Sequence, residues 1–154
     1  MNDVAPKDAV TSPKRGAGAR LLGVLAVVAG LYWIVARPAG PPAGWGADFT
    51  AAISQARADG KRLLVAFHQP GCPPCAAMDR QVLGAKEVAE AMSPFVPVRL
   101  DVQRDSELAN QLGVFGTPTY AVIEPDGKTM VTRTEGFQPV DAFVRFLDRA
   151  ARIP

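Results

Sequence analysis

The sequence is poor in the side chains that bind metals. Its 154 residues include two cysteines and one histidine. A structural zinc site takes four such ligands, so a monomer of this composition does not complete one. Haem attachment through a Cys-x-x-Cys-His motif is excluded as well, because Ala76 follows the second cysteine. No internal repeat is evident, and this length leaves room for one domain with a sizeable core.

An excess of basic charge is also lacking, except in the residues that precede Trp45. Five of the 17 basic residues and two of the 15 acids precede Trp45. The remainder, residues 45–154, holds 12 basic and 13 acidic residues, a net charge of −1. A nucleic-acid-binding function for that part has little support.

Residues 21–36 form an apolar run of 16 residues without a polar break. As a helix it spans about 24 Å at about 1.5 Å per residue, against a hydrocarbon core of about 30 Å. Four Lys or Arg residues precede it, whereas only Arg37 follows within twenty residues. The positive-inside rule therefore predicts an inner-membrane anchor with the N-terminus in the cytoplasm and residues 38–154 in the periplasm.

A cleaved signal peptide is the second interpretation of this run, and a buried helix of a soluble protein is the third. A small-x-small cleavage site is hard to place, because a cut after Ala36 puts Ile34 at the third position back. A cut after Ala39 puts Arg37 there. Anchor and signal both export the domain, and a bacterial envelope is an oxidising compartment where disulfides persist.

The rest of the chain divides into three segments. Residues 1–20 are expected to be a disordered cytoplasmic arm, residues 37–44 a Pro/Gly linker, and residues 45–154 the folded domain. Hydrophobic periodicity and turn residues predict helices over 48–58, 72–83, 86–92, 105–112 and 140–150, and strands over 61–67, 95–102, 119–123 and 129–134. Pro97 indicates that the second strand lies at an edge or begins there.

The two cysteines lie three residues apart in Cys72-Pro73-Pro74-Cys75, directly after an apolar run. If a helix opens at residue 72, they lie one turn apart on one face and can close a disulfide. Unpaired backbone N–H groups at that helix end favour a Cys72 thiolate. Both prolines lack an N–H, so the Cys75 N–H remains the main local donor, and we expect only a modestly lowered Cys72 pKa. The motif predicts a redox-active dithiol.

The order of elements, with a dithiol after the first strand, resembles the thioredoxin fold: an α/β domain with a central mixed sheet flanked by helices. Residues 66–75 match its active-site turn, and residues 115–119 look like the loop that carries a cis-proline facing the dithiol. Within that superfamily the chain is similar to the C-terminal periplasmic domain of the disulfide reductase DsbD and related envelope proteins. The matching residues are Trp45, Phe49, Gly60, Lys61, Gly136 and Phe137.

The resemblance implies a thiol–disulfide oxidoreductase without metal or organic cofactor. Cys72 would be the nucleophile and Cys75 the resolving thiol. Thr117, held by a cis Pro118, would bind the substrate segment together with Gly71. The implied partners are cysteine-containing envelope proteins and an integral-membrane electron donor or acceptor. Reduction is the preferred direction, although the residues leave oxidation open.

Several residues depart from the family pattern. Ala66 stands where thioredoxins carry a buried acid, and Gly71 stands where they carry an aromatic residue. Asp79 matches a second acid of DsbD-type domains, and it is either a base that faces Cys75 or a solvated acid on a helix face. Arg99 occupies the position of a common lysine, and without the acid at position 66 we expect an ordinary surface charge.

Two further questions stay open at this level. His68 either tunes the thiol or is a partly buried ring at the end of a strand, and the second interpretation is preferred. The dithiol itself has two alternative uses, as the start of a Cu(I)-delivery site or as a redox-inactive remnant on a protein-binding scaffold.

Overall fold

The computed structural model describes residues 23–30, residue 32 and residues 44–154. The chain divides into two units, residues 1–38 and 39–154. In the first unit, residues 23–30 and residue 32 are helical. Among the described residues, no helix combines the length and the apolarity needed to cross a membrane. The predicted arm over 1–20, the rest of the predicted anchor and all of the linker except Gly44 lie outside the described residues.

Residues 44–154 fold into alternating helices and strands. The helices are α1 (Phe49–Asp59), α2 (Pro73–Gln81), α3 (Lys86–Ala91), α4 (Ser106–Gln111) and α5 (Val140–Arg152). The strands are β1 (Arg62–His68), β2 (Phe95–Asp101), β3 (Thr119–Ile123) and β4 (Met130–Glu135). Every predicted element is present, with its ends shifted by at most two residues.

The strands form one mixed sheet in the order β2-β1-β3-β4. Strand β1 runs parallel to β2 and antiparallel to β3, and β4 is antiparallel to β3. The edge position that Pro97 predicts for β2 is confirmed. Gly46 covers part of that edge: its N–H donates to the Pro97 carbonyl at 3.1 Å, and its carbonyl accepts from the Arg99 N–H at 2.8 Å. The sequence gives no sign of this pairing.

The sheet lies between two layers of helices, so β1 is buried on both faces. Leu64 and Ala66 face the layer of α2, α3 and α5, whereas Leu63, Val65 and Phe67 face the layer of α1 and α4. Burial on both faces explains why β1 reads as a continuous apolar run instead of an alternating one. The predicted α/β architecture with flanking helices is confirmed.

The same topology brings two distant loops together. Because β3 is antiparallel to β1, the residues that precede β3 lie beside those that follow β1. Phe67 near the end of β1 is paired with Thr119 at the start of β3. The dithiol turn after β1 and the loop before β3 therefore meet at one end of the sheet.

Candidate active site

The turn from β1 into α2 holds the two cysteines. Gly71 has φ +72°, a left-handed conformation that glycine adopts without the penalty of a side chain. Cys72 is the N-cap of α2, and its sulfur accepts from the Cys75 N–H at 3.2 Å. Pro73 and Pro74 fill the first two helical positions, where a missing N–H leaves no intrahelical bond unmade. The expected donor from Cys75 is therefore confirmed.

Cys72 and Cys75 are joined in a disulfide with an S–S distance of 2.06 Å and a Cα–Cα distance of 5.3 Å. Cys72 is 7% exposed and Cys75 is 4% exposed. Both side chains are thus nearly buried, and exposure hardly distinguishes them. The assignment of Cys72 as nucleophile and Cys75 as resolving thiol stays a prediction.

The loop before β3 contacts the dithiol directly. The Thr117 hydroxyl donates to the Cys72 sulfur, with 3.5 Å between Oγ1 and Sγ. The Thr117–Pro118 peptide bond is cis. The Pro118 carbonyl accepts from the Gly136 N–H at 2.8 Å, which ties the loop to the end of β4. The structure thus brings together Cys72, Cys75, Thr117 and Pro118, four of the six residues that the sequence and the family resemblance assign to the site.

Gly71 borders the same site on the exposed side. It is exposed, and a Cβ built on it would meet no atom within 4 Å. The surface beside Cys72 is therefore open at the position where the family pattern has an aromatic side chain. Its assignment to substrate binding stays a prediction.

Asp79 is neither solvated nor free of partners. Its side chain is 6% exposed, and its two oxygens accept from Nη1 and Nη2 of Arg99 at 2.6 and 2.9 Å. The solvated-acid alternative is therefore wrong. The expectation that Arg99 is an ordinary surface charge is wrong too, since that side chain is only 13% exposed. A base function of Asp79 toward Cys75 stays a prediction.

The reason for this ion pair lies in the strand register. Ala66 is paired with Arg99 on β2 and with Tyr120 on β3, so the three side chains share the sheet face below α2. The methyl group of Ala66 occupies little of that face. The family pattern has an acid at position 66 on β1, but here the Arg99 guanidinium binds an acid on α2, Asp79. A negative charge is retained beneath the dithiol helix, but it comes from Asp79.

Tyr120 belongs to this buried cluster, and the sequence reasoning missed it. It is 2% exposed and packs edge-on against Phe143 with ring centroids 4.8 Å apart. Burial raises the pKa of Tyr120, the Asp79 carboxylate raises it further, and Arg99 opposes the change. The phenol therefore stays neutral. The only feature that places Tyr120 in this cluster is its pairing with Ala66 in the sheet, and the register of a sheet cannot be derived from the sequence alone.

His68, at the end of β1, is partly buried, as preferred from the sequence. Burial lowers the pKa of His68, and the neighbouring Arg99 guanidinium lowers it further against the opposing carboxylates of Asp101 and Asp79. The ring is thus a neutral imidazole at neutral pH. A neutral ring adds no positive charge to the site.

Known proteins resemble both the sequence and the fold. Thiol:disulfide interchange protein DsbD of Pseudomonas fluorescens is 34% identical over 85 residues, which are 53% of this chain and 15% of that protein. A thioredoxin from Thermus thermophilus superposes with a TM-score of 0.63 at 28% identity and covers 70% of this chain and 87% of its own. The oxidised C-terminal domain of DsbD from Neisseria meningitidis gives 0.55 at 27% identity, over 69% and 98%.

This chain therefore spans less than a fifth of the full-length DsbD relative but nearly all of the solved DsbD domain. The relatives and the Cys72–Cys75 disulfide together support thiol–disulfide oxidoreductase chemistry. A family model described as a thioredoxin-like domain matches residues 49–151, which hold both cysteines, Asp79 and the Thr117–Pro118 loop. The chain belongs to the thioredoxin-like domain family.

Proposed function

We propose that this protein is a membrane-anchored thiol–disulfide oxidoreductase of the bacterial envelope that reduces disulfides in envelope proteins. The observation that carries the proposal is the Cys72–Cys75 disulfide at the start of α2, with the Thr117 hydroxyl 3.5 Å from the Cys72 sulfur. A dithiol at a helix N-terminus, beside a loop that offers a hydroxyl donor, suits a thiolate nucleophile.

The exchange takes place in two steps. In the reduced protein the Cys72 thiolate attacks one sulfur of a substrate disulfide, a mixed disulfide forms, and the other substrate sulfur leaves as a thiolate that takes up a proton. The Cys75 thiolate then attacks the Cys72 sulfur, the internal disulfide closes, and the second substrate thiolate leaves. The substrate gains two electrons and the dithiol loses two. Run backwards, the same steps oxidise a substrate dithiol.

Cys75 must lose its proton before the second step. Asp79 follows it by four residues on α2, which places both side chains on one face of the helix. Asp79 is the proposed proton acceptor, and Arg99 holds its carboxylate in place. Pro118 and Thr117 hold the substrate segment next to Cys72.

The direction is tested by the standard reduction potential of the dithiol, measured by equilibrating the full chain with glutathione buffers. A value near thioredoxin's, about −270 mV, is expected for a reductase, whereas a value near about −120 mV indicates an oxidant. The reduced protein should also convert the disulfide of an unfolded substrate protein to thiols with loss of one internal dithiol per disulfide. A protein whose dithiol neither equilibrates with glutathione nor reduces the substrate disulfide would contradict the proposed activity.

Anchoring is supported by the sequence and by the exposed apolar helix of the first unit. Val24, Leu25, Val27 and Val28 are each more than half exposed. Such side chains are stable in lipid but costly in water. A reductase so placed needs a dithiol electron donor in the same membrane, and the relatives named as thiol:disulfide interchange proteins make such a donor the proposed partner.

The proposed topology predicts two results in a bacterial host. A reporter that is active only in the periplasm should be active when fused after Pro154, and the protein should stay in membranes after washing with high salt. Loss of about 36 N-terminal residues with release into the soluble fraction would instead establish a cleaved signal. Activity of a cytoplasm-only reporter at the same position would contradict export altogether.

A further inference from the structure

The short loop between β4 and α5 contacts both parts of the candidate site. Gly136 donates its N–H to the Pro118 carbonyl at 2.8 Å. Two residues later, Gln138 donates its backbone N–H to the Met78 sulfur at 3.2 Å. Pro118 belongs to the loop before β3, whereas Met78 belongs to α2, the dithiol helix. The β4–α5 loop therefore joins the dithiol helix to the loop that contacts the dithiol.

These hydrogen bonds complete a ring of contacts around the site. The β4–α5 loop links Met78 to Pro118, and Thr117 directly precedes Pro118 in the chain. The Thr117 hydroxyl donates to the Cys72 sulfur at 3.5 Å, and Cys72 is the N-cap of the helix that holds Met78. Hydrogen bonds behind a reactive group keep that group in its working geometry. In this ring, the Met78 sulfur is the acceptor that lies farthest along the helix from the reacting sulfur.

The Met78 sulfur is an unusual acceptor for a backbone N–H. A thioether is a weak acceptor, and most backbone N–H groups bond to oxygen. Met78 is fully buried. Among the described residues, the Gln138 N–H donates to this sulfur alone. Because a partly buried N–H without an acceptor is costly, a side chain without sulfur at position 78 would make the loop shift toward another partner.

The β4–α5 loop has little freedom to absorb such a shift by itself. The Gln138 side-chain amide donates to the Glu135 carbonyl at 2.9 Å, at the end of β4. Pro139, whose ring fixes its φ angle, is the N-cap of α5, and its carbonyl accepts from the Phe143 N–H at 2.9 Å. A displacement of the loop at Gln138 is therefore passed on to the hydrogen bond with the Pro118 carbonyl.

We propose that Met78 is a positioning residue for thiol–disulfide exchange. Its sulfur holds the β4–α5 loop, and through this loop it keeps the Thr117 hydroxyl at the Cys72 sulfur. The Cys72 thiolate is then stabilised by two donors, the Cys75 N–H and the Thr117 hydroxyl. This inference rests on the exchange proposed above and adds to it a core residue that keeps the nucleophile reactive.

The test measures the reactivity of Cys72 in the full chain in detergent, with Cys75→Ser present in every variant so that one thiol remains. The Cys72 thiolate attacks the carbon of iodoacetamide, a C–S bond forms and iodide leaves. Below the midpoint of the pH profile the rate follows the thiolate fraction, whereas well above it every thiol is ionised. Met78→Leu keeps most of the volume but has no acceptor. It should react about threefold more slowly below the midpoint and at the parent rate above it.

Met92→Leu is the matched control. Met92 packs against the core cluster that contains Met78, and within the described part of the chain its sulfur accepts no hydrogen bond, so the profile should stay unchanged. In a Thr117→Val background, which lacks the hydroxyl, Met78→Leu should have no further effect. Norleucine at position 78, introduced in a Met92→Leu/Met130→Leu chain, keeps the shape of methionine without the sulfur and should repeat the leucine result. Selenomethionine, which keeps an acceptor there, should restore the parent profile.

An unchanged profile in both the leucine and the norleucine proteins would overturn the positioning role while leaving the exchange activity intact. Slower alkylation at every pH would also overturn it, because the change would then be one of access or packing. The same holds if Met78→Leu acts equally with and without the Thr117 hydroxyl. If the reduced wild-type chain, with both cysteines, reduces no substrate disulfide, thiol–disulfide exchange itself fails, and the role of Met78 in it fails as well.

Discussion

Replacing Cys75 with serine is expected to leave the protein covalently joined to its substrates. Cys72 caps α2, and its sulfur accepts from the Cys75 N–H at 3.2 Å and from the Thr117 hydroxyl at 3.5 Å. Both donors stabilise a thiolate at Cys72. The serine variant retains them, because one is the backbone N–H of residue 75 and the other is the hydroxyl of Thr117. Cys72 can then open a substrate disulfide, but no second thiol resolves the product. Mixed disulfides should accumulate and appear as high-mass bands on non-reducing gels.

The Cys72→Ser variant is the matched control. It keeps the Cys75 thiol, whose sulfur lies within the first turn of the helix and is nearly buried. We expect no trapped partners and a loss of exchange by several orders of magnitude. Equal trapping by the two single variants would contradict the assignment of nucleophile and resolving thiol. Trapping by Cys72→Ser alone would reverse it.

The sequence predicts the fold well because local signals and topology agree. Asp48, at the start of the predicted helix 48–58, accepts from the Ala51 N–H as the N-cap of α1, and Gly60 ends that helix with φ +62°. The proline in β2 correctly marks an edge strand. The cysteine spacing predicts the dithiol, and the resemblance to the thioredoxin fold points to the Thr117–Pro118 loop. The structure places the two in contact.

The sequence does not predict features that depend on register between distant strands. Arg99 and Asp79 are 20 residues apart, and the register that pairs Arg99 with Ala66 places Arg99 on the sheet face below α2, where it meets Asp79. The pairing of Gly46 with the edge of β2 is another case. Its hydrogen bonds join backbone groups, which every residue type except proline provides, so the sequence does not reveal it. The exposure of Phe115 is a third, since an apolar residue in a sequence is ordinarily assigned to the core.

The buried Asp79–Arg99 pair should have a large effect on stability. Replacing Arg99 with methionine keeps most of the side-chain volume but leaves a carboxylate that is 6% exposed without its counter-charge. We expect the free energy of unfolding to fall by about 3 kcal/mol, because an uncompensated buried charge is the costly state. The measurement is urea unfolding of the full chain in detergent, followed by circular dichroism, with the disulfide intact in every variant. Arg145→Met, which breaks an exposed pair with Asp141, should leave the midpoint unchanged.

A double-mutant cycle separates the charge from the packing. Asp79→Leu alone leaves the Arg99 guanidinium, which is 13% exposed, without its counter-charge, and it should also destabilise the protein. In the double variant Asp79→Leu/Arg99→Met no charge remains on this face from either residue, so its stability should return to within about 1 kcal/mol of the wild type. If the double variant is instead as unstable as the sum of the two single variants, the loss comes from packing and not from the unpaired charge.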